Sequence, residues 1–369
     1  MGTTIQLGRV AGITIGVHWT LIAIFALITW SLWQEVLPSY ETGLSSYEYL
    51  AMAVVSALLF FVSIVLHELG HAVRARREGM EIDGITLWLL GGVASFRGDF
   101  PGAGAEFRVA IAGPLVSLVI GASLASASLL LSLPKQVDGV VAWVGFTNLL
   151  LLAFNMLPAL PLDGGRVLQA ALWGWRKDRS WATRISAGLG RVFGLLFVGI
   201  GLTLALTTGT GDGVWLALLG WFLVTSASGE AQSQVVRDAL AGLTVRDVMI
   251  HDPVVVDGSL TVGELVDTVL GARRFSTYPV AEDGRITGLL PFRRVAALPR
   301  SAWDDHTVGS VAIPFADAPK VEESAGLVES LEVLTGSELK RALVTNGELV
   351  TGLLSISDVV RAFEAQRRR

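Results

Sequence analysis

Ser63-Ile64-Val65-Leu66-His67-Glu68-Leu69-Gly70-His71 places an H-E-x-x-H motif inside an apolar run that begins near Met52. At helical spacing His67 and His71 lie one turn apart on one face, where two imidazoles can bind a single zinc ion. Glu68 stands beside His67, within reach of a metal-activated water, and is the candidate general base. Ionisable groups are costly inside a bilayer, so a membrane segment that carries them is by default a functional site.

The composition around the motif agrees with a membrane setting. Of 369 residues, 52% are hydrophobic and 17% charged, against about 25% charged in an ordinary soluble domain. No Lys or Arg occurs between Arg9 and Arg74, whereas the chain after Ala231 is charged throughout. A membrane domain over 1–230 and a soluble domain over 231–369 are therefore expected. A net charge of −5 without a basic stripe gives no reason to expect a nucleic-acid partner. There is no cysteine, so disulfides and thiolate metal sites are excluded, and any zinc must be held by His and carboxylate.

A helix needs about 20 apolar residues to span a bilayer. The candidates are 17–36, 51–73, 108–133, 139–157, 191–208 and 213–228, the last short but rich in Trp and Leu, with Trp215 and Trp221 as interface anchors. The first has no small-residue cleavage site and reads as a retained helix. The apolar piece 159–175 is too short and contains Asp163. Basic residues fix the orientation: Arg9, then Arg74, Arg76, Arg77, Arg97 and Arg108, then Arg166, Arg176, Lys177, Arg179 and Arg184 are expected in the cytoplasm. Six spans with the N-terminus and the soluble domain inside satisfy all of them.

A third metal ligand is needed, and few residues can supply it. Asn155-Met156-Leu157-Pro158-Ala159-Leu160-Pro161-Leu162-Asp163-Gly164-Gly165-Arg166 carries an acid between two prolines that break a helix and two glycines that let backbone pack closely. Irregular backbone at membrane depth is tolerated where it lines a cavity or is buried in protein, so Asp163 is expected to point at an internal polar site. The blander role is a helix N-cap, and both can hold. With His67 and His71 it makes a two-His, one-carboxylate set that leaves a position for water. Asn155 and Asn148 are candidates to hydrogen-bond a substrate carbonyl, Asn148 equally an interhelical contact. His18 reads as an interfacial histidine, and Ala112-Gly113-Pro114 as a close helix contact or kink.

Between the second and third spans, residues 84–98 form two short β-capable halves around Gly91-Gly92, as a hairpin with the glycines at its turn would require. Its edge could pair with an extended substrate, which makes Gly91 and Gly92 candidate substrate-binding positions; a packing role at the membrane surface is the equal alternative. The soluble part contains a repeat, about 243–300 and 306–363. Thr244 recurs as Thr307 after 63 residues, and Gly288 as Gly352 after 64. Such a repeat of short β-rich runs and amphipathic helices is a duplicated α/β unit.

The H-E-x-x-H motif, Ala112-Gly113-Pro114 and Asn155 through Arg166 together resemble, in order and character, the motifs of the site-2 protease family of intramembrane metalloproteases. The resemblance covers residues 1 to about 230, and the repeat is similar to a pair of CBS domains, ending in Gly352 to Asp358. It implies a polytopic α-helical membrane domain of about six helices with a membrane-associated β-hairpin, followed by a soluble α/β tandem CBS domain. It implies one zinc ion per chain on His67, His71 and Asp163, with Glu68 as catalytic base. Its substrates would be single-pass membrane proteins within the lipid bilayer, such as anti-sigma factors, cut by regulated intramembrane proteolysis. An adenosine nucleotide is expected at the CBS pair on Ser355 and Asp358, and a homodimer through the CBS domains. A CBS-regulated channel or transporter is the rival reading, but it leaves the spacing of His67, Glu68 and His71 unexplained.

Overall fold

A β-hairpin that the sequence reading did not anticipate opens the chain in the computed structural model, which describes residues 4–10, 12–88, 91–209, 211–270 and 275–367. Strand β1 (Thr4–Val10) pairs antiparallel with β2 (Ile13–His18). β2 then runs parallel to β3 (Glu81–Trp88), with Ile15 opposite Ile85, and β3 is antiparallel to β4 (Gly91–Arg97). The sheet order is β1-β2-β3-β4, so β4 is an edge. Ile13 and Ile85 are buried against Ala72, which fixes the sheet on the helix that carries the motif.

The hairpin expected at 84–98 is present, but its turn is not at the glycines. Gly91 and Gly92 already belong to β4, opposite Trp88 and Leu87, and the connecting residues 89–90 lie outside the described ones. Close approach, not turn geometry, requires glycine here: a Cβ on Gly92 would lie 2.4 Å from Glu68 Cγ.

Among the described residues, six helices are long and apolar enough to cross a membrane. They are α1 (Thr20–Tyr40), α2 (Ser46–Arg77), α3 (Ala103–Leu130), α4 (Lys135–Asn155), α6 (Arg179–Thr208) and α7 (Gly211–Leu240), with the short α5 (Asp163–Arg176) between α4 and α6. Helix α2 starts on a capping box in which Ser45 and Glu48 satisfy each other's free backbone donors, and it ends on Arg74, Arg76 and Arg77. Its 32 residues make about 48 Å of helix against a hydrocarbon core of about 30 Å, so its ends extend beyond the apolar layer. Small residues set the helix contacts, as expected where no hydrophobic effect drives association. A Cβ on Gly70 would meet the Ala112 carbonyl at 3.0 Å, and one on Gly145 would meet Ala125 N at 2.9 Å.

The chain divides into two compact units, Met1–Gln234 and Val235–Arg369. The second holds two sheets of one design. In the first, β5 (Val256–Asp257), β6 (Thr277–Glu282), β7 (Arg285–Pro291) and β8 (Ile313–Pro314) lie in that order. In the other, β9 (Lys320–Glu322) pairs parallel to β10 (Arg341–Asn346), which pairs antiparallel to β11 (Leu349–Ser355). The repeat extends to detail: register shifts between Val280 and Ala281 and between Val344 and Thr345 keep the spacing of Gly288 and Gly352. Each of those glycines lets its strand close on an isoleucine carbonyl, Gly288 on Ile313 and Gly352 on Ile250. Helices α8 (Leu327–Gly336) and α9 (Ile356–Arg367) complete the second repeat.

Candidate metal centre

Two elements far apart in sequence bring the donors together. Helical pitch puts His67 and His71 on one face of α2, where both are buried. Asp163 is the first residue of α5, after a bend in which Pro158 and Pro161 supply no amide proton. The bend is held by Leu160 N donating to Ser186 O at 3.2 Å and Leu162 N donating to Ala159 O at 3.0 Å. It wraps so tightly over the start of α5 that a Cβ on Gly164 would lie 2.4 Å from Met156 backbone, and one on Gly165 would lie 2.3 Å from Ala159 backbone. Leu162, not Asp163, is the cap residue, so the carboxylate is free of the blander role and turns inward.

Asp163 Oδ2 lies 3.1 Å from His67 Nε2 and 3.4 Å from His71 Nε2, and the two nitrogens are 3.2 Å apart. Tetrahedral zinc with bonds of ~2.0–2.1 Å has ligand-to-ligand edges of about 3.3–3.4 Å. The triangle therefore fits zinc in size as well as in chemistry. Glu68 does not belong to it: its half-buried side chain packs under β4 at Gly92.

Helix α3 forms the back wall through residues at four-residue spacing. His71 Nδ1 donates to the Val109 carbonyl at 2.7 Å, and His67 Nδ1 lies 2.9 Å from Ser117 Oγ. Between them, a Cβ on Gly113 would lie 2.2 Å from His71 Nε2 and 2.7 Å from His67 Nε2. Ala112-Gly113-Pro114, read as a packing contact, is thus also the floor of the site. Sequence reasoning missed Val109 and Ser117 altogether; the only signal is their i, i+4, i+8 relation with Gly113. At the end of α2, Glu78 bridges Arg108 of α3 and Arg74, and those hydrogen bonds, Arg108's foremost, hold its carboxyl at about 2.

The candidate substrate residues are less closely gathered. Asn148 is fully buried and donates from Nδ2 to Val144 O of its own helix at 2.8 Å, leaving Oδ1 without a partner. Its bond stays within α4, and the interhelical contact weighed as its alternative is not made among the described residues. Asn155 ends α4, half-buried, just before the bend. Gly91 and Gly92 begin the edge strand. In the second unit, Asp358 Oδ2 accepts from Ser355 N at 2.9 Å and from Ser355 Oγ, and Arg361 pairs with Oδ1. Both residues line a cavity of about 290 Å³ with Asp252, Thr277, Arg341 and Arg361. The equivalent position in the first repeat is Arg294, whose Nη1 donates to the Val311 and Ala312 carbonyls at 3.0 and 3.1 Å.

Comparison with known proteins adds an independent line. The model of peptidase family M50 matches residues 55–140 and 132–199, and that of the CBS domain matches 245–299. Rip3 of Mycobacterium tuberculosis is 36% identical over 372 residues, covering 100% of this chain and 94% of its own. Zinc metalloprotease MJ0392 of Methanocaldococcus jannaschii is 30% identical over 366 residues, covering 98% and 96%. A solved site-2 protease from the same archaeon is 32% identical over 62% of this chain and 95% of its own, with a TM-score of 0.44.

Proposed function

The chain belongs to peptidase family M50 and carries a CBS domain, and from that premise we propose that it is an intramembrane zinc metalloprotease cutting single-pass membrane proteins within or near their transmembrane segment. The observation that carries the reading is the triangle of His67, His71 and Asp163, set among membrane-spanning helices at zinc-ligand separations. A peptidase family also decides against the channel or transporter alternative.

Zinc held there would polarise the scissile carbonyl and make a bound water acidic near neutral pH. His67, His71 and Asp163 would hold the ion. Glu68 accepts the proton of the attacking water on its carboxylate and returns it to the leaving nitrogen. A helical substrate hides its carbonyls in intrahelical bonds and must unwind first. The edge that β4 forms in the described sheet, packed against Glu68 at Gly92, offers backbone donors and acceptors to the unwound segment, with Gly91 and Gly92 at its start and Asn155 and Asn148 as further polar contacts. We place both termini and the CBS domain in the cytoplasm, from the basic residues that flank the spans. The cavity at Ser355 and Asp358 suits one adenosine nucleotide per CBS pair, with Arg341 and Arg361 available for phosphate, and pairing of CBS domains would make a homodimer.

Purified protein in detergent, given a single-pass substrate, tests the central claim. Glu68→Gln should abolish cleavage while zinc content stays at one per chain, because Glu68 moves protons and does not coordinate. Cleavage by Glu68→Gln at the wild-type rate would refute the assignment.

A further inference from the structure

We infer that Arg166 and Glu230 are positioning residues for the metal site, an ion pair that fixes the start of α5, and with it Asp163, against α7. The inference rests on Asp163 being a ligand, as proposed above.

Of the three donors, Asp163 is the one that no neighbouring side chain or carbonyl secures. His71 and His67 each face a partner on α3 through Nδ1, the Val109 carbonyl and the Ser117 hydroxyl. Apart from facing the two histidines, the Asp163 side chain has no hydrogen-bond partner among the described residues. Ligating carboxylates are ordinarily held by hydrogen bonds of their own. Where Asp163 stands is therefore decided by where α5 stands, and α5 is a short helix that begins directly after a bend.

Arg166 follows Asp163 by one turn, about 4.5 Å along the axis and on the same side of the helix. Its Nη2 donates to Glu230 Oε1 of α7 at 3.0 Å. It is also within electrostatic reach of Glu106 on α3, a fully buried carboxylate with no hydrogen-bond partner for either oxygen; Arg179 of α6 is the other cation acting on it. One guanidinium thus serves an acid of α3 and an acid of α7. Glu230 in turn stands on a firm support. Helices α6 and α7 approach backbone to backbone, since a Cβ on Gly194 would meet the Gly220 carbonyl at 2.7 Å. At Gly190 of α6, the Leu160 carbonyl of the bend and the Ala227 side chain of α7 close on the same point, the latter 2.9 Å from a Cβ there. Ala227 lies one turn before Glu230, so packing grips the bend and the ion pair grips the helix that follows it. The two side chains of the pair are 34% and 38% exposed, so it adds little to stability. What it adds is placement, because a guanidinium donates in fixed directions.

The test is zinc retention by the full-length chain in detergent against a graded series of chelators. Glu230→Ala should give up half its zinc at roughly tenfold weaker chelation than wild type, and Arg166→Ala at least as readily. In the Arg166→Ala background, Glu230→Ala should cost nothing more, because its route to the metal is already gone. High salt should narrow the gap between wild type and Glu230→Ala, since a pair this exposed is screened. Glu230→Gln, isosteric and uncharged, should behave likewise and serves if the Ala variant does not fold. Asp163→Ala is the control for the ligand set. If Asp163→Ala loses zinc while the Glu230 variants hold it as wild type does, the positioning role is refuted. An equal loss from Glu230→Ala in both backgrounds, unmoved by salt, would overturn it in favour of packing by α7. If Asp163→Ala keeps its zinc, the ligand set fails and the inference falls with it.

Discussion

A Cβ at position 113 would enter the space between the two donor imidazoles, 2.2 Å from His71 Nε2 and 2.7 Å from His67 Nε2. Gly113→Ala should therefore displace the rings or part α2 from α3, and zinc retention in the chelator series should fall about tenfold or more; zinc bound as tightly as in wild type would show that the floor yields. In the second unit, Asp358 caps α9 through Ser355 and is paired by Arg361, so a ribose must share it with an existing network. Asp358→Ala should weaken adenosine-nucleotide binding about tenfold, by loss of a charge-assisted hydrogen bond, whereas Arg294→Ala should leave it unchanged. Calorimetry on the full chain decides; unaltered binding in Asp358→Ala would remove that contact. That His67, His71 and Asp163 meet was legible in the sequence because their chemistry is concentrated in a local motif and in one acid flanked by Pro and Gly. Val109 and Ser117 were not, because a carbonyl has no sequence signature and a serine in an apolar helix is unremarkable until its neighbour is known.

The edge strand and the helix beneath it act as a pair. A Cβ on Gly92 would press on Glu68 Cγ at 2.4 Å, so Gly92→Ala must move either β4 or the proposed base. Misplacement on the order of 1 Å costs about 10²-fold in rate, so kcat should drop by about that factor with zinc content intact; loss of zinc instead would mean that β4 supports the ligands. At the other end of α2, Glu78 ties α2 to α3. A carboxyl held at about 2 contributes its stabilisation above its ordinary range and loses it only as the pH falls toward 2, so this tie persists at any pH near neutrality. At this scale the sequence was readable in part. Helices followed from apolar length, and the repeat from its Gly-to-Gly spacing. The N-terminal strands alternate as strands should, Ile13 and Ile15 inward, but are short and lie against the first span. Their parallel pairing with β3 joins Ile15 to Ile85, a non-local contact with no signature in either segment. The turn of the next hairpin was misplaced because Gly-Gly marks a turn by default, and here it marks a close approach.

For the whole molecule, the proposed orientation makes the simplest prediction. Gly43→Cys and Gly211→Cys, on loops poor in basic residues, should react with an impermeant thiol reagent on intact cells, the native chain having no cysteine to interfere. Arg77→Cys and Glu323→Cys should react only after the cells are opened. Labelling of Glu323→Cys from outside would put the second unit on the wrong side for a cytoplasmic nucleotide. Six spans were countable from hydropathy alone, although the helices run longer than the apolar stretches. The polar turns that continue them, such as 229–240 at the end of α7, carry helix propensity but no membrane signal.

The donors of the metal centre are 96 residues apart, His67 early in the chain and Asp163 well after it. Synthesis proceeds at about 5–20 residues per second, so several seconds separate emergence of the motif from emergence of the acid. On the proposed ligand set, a nascent chain in that interval carries two histidines and a glutamate but lacks the third ligand. The proposal thus makes any chain that stops short of Asp163 inactive. Metal capture would then be a sign that α5 has been seated against the helix that carries the motif.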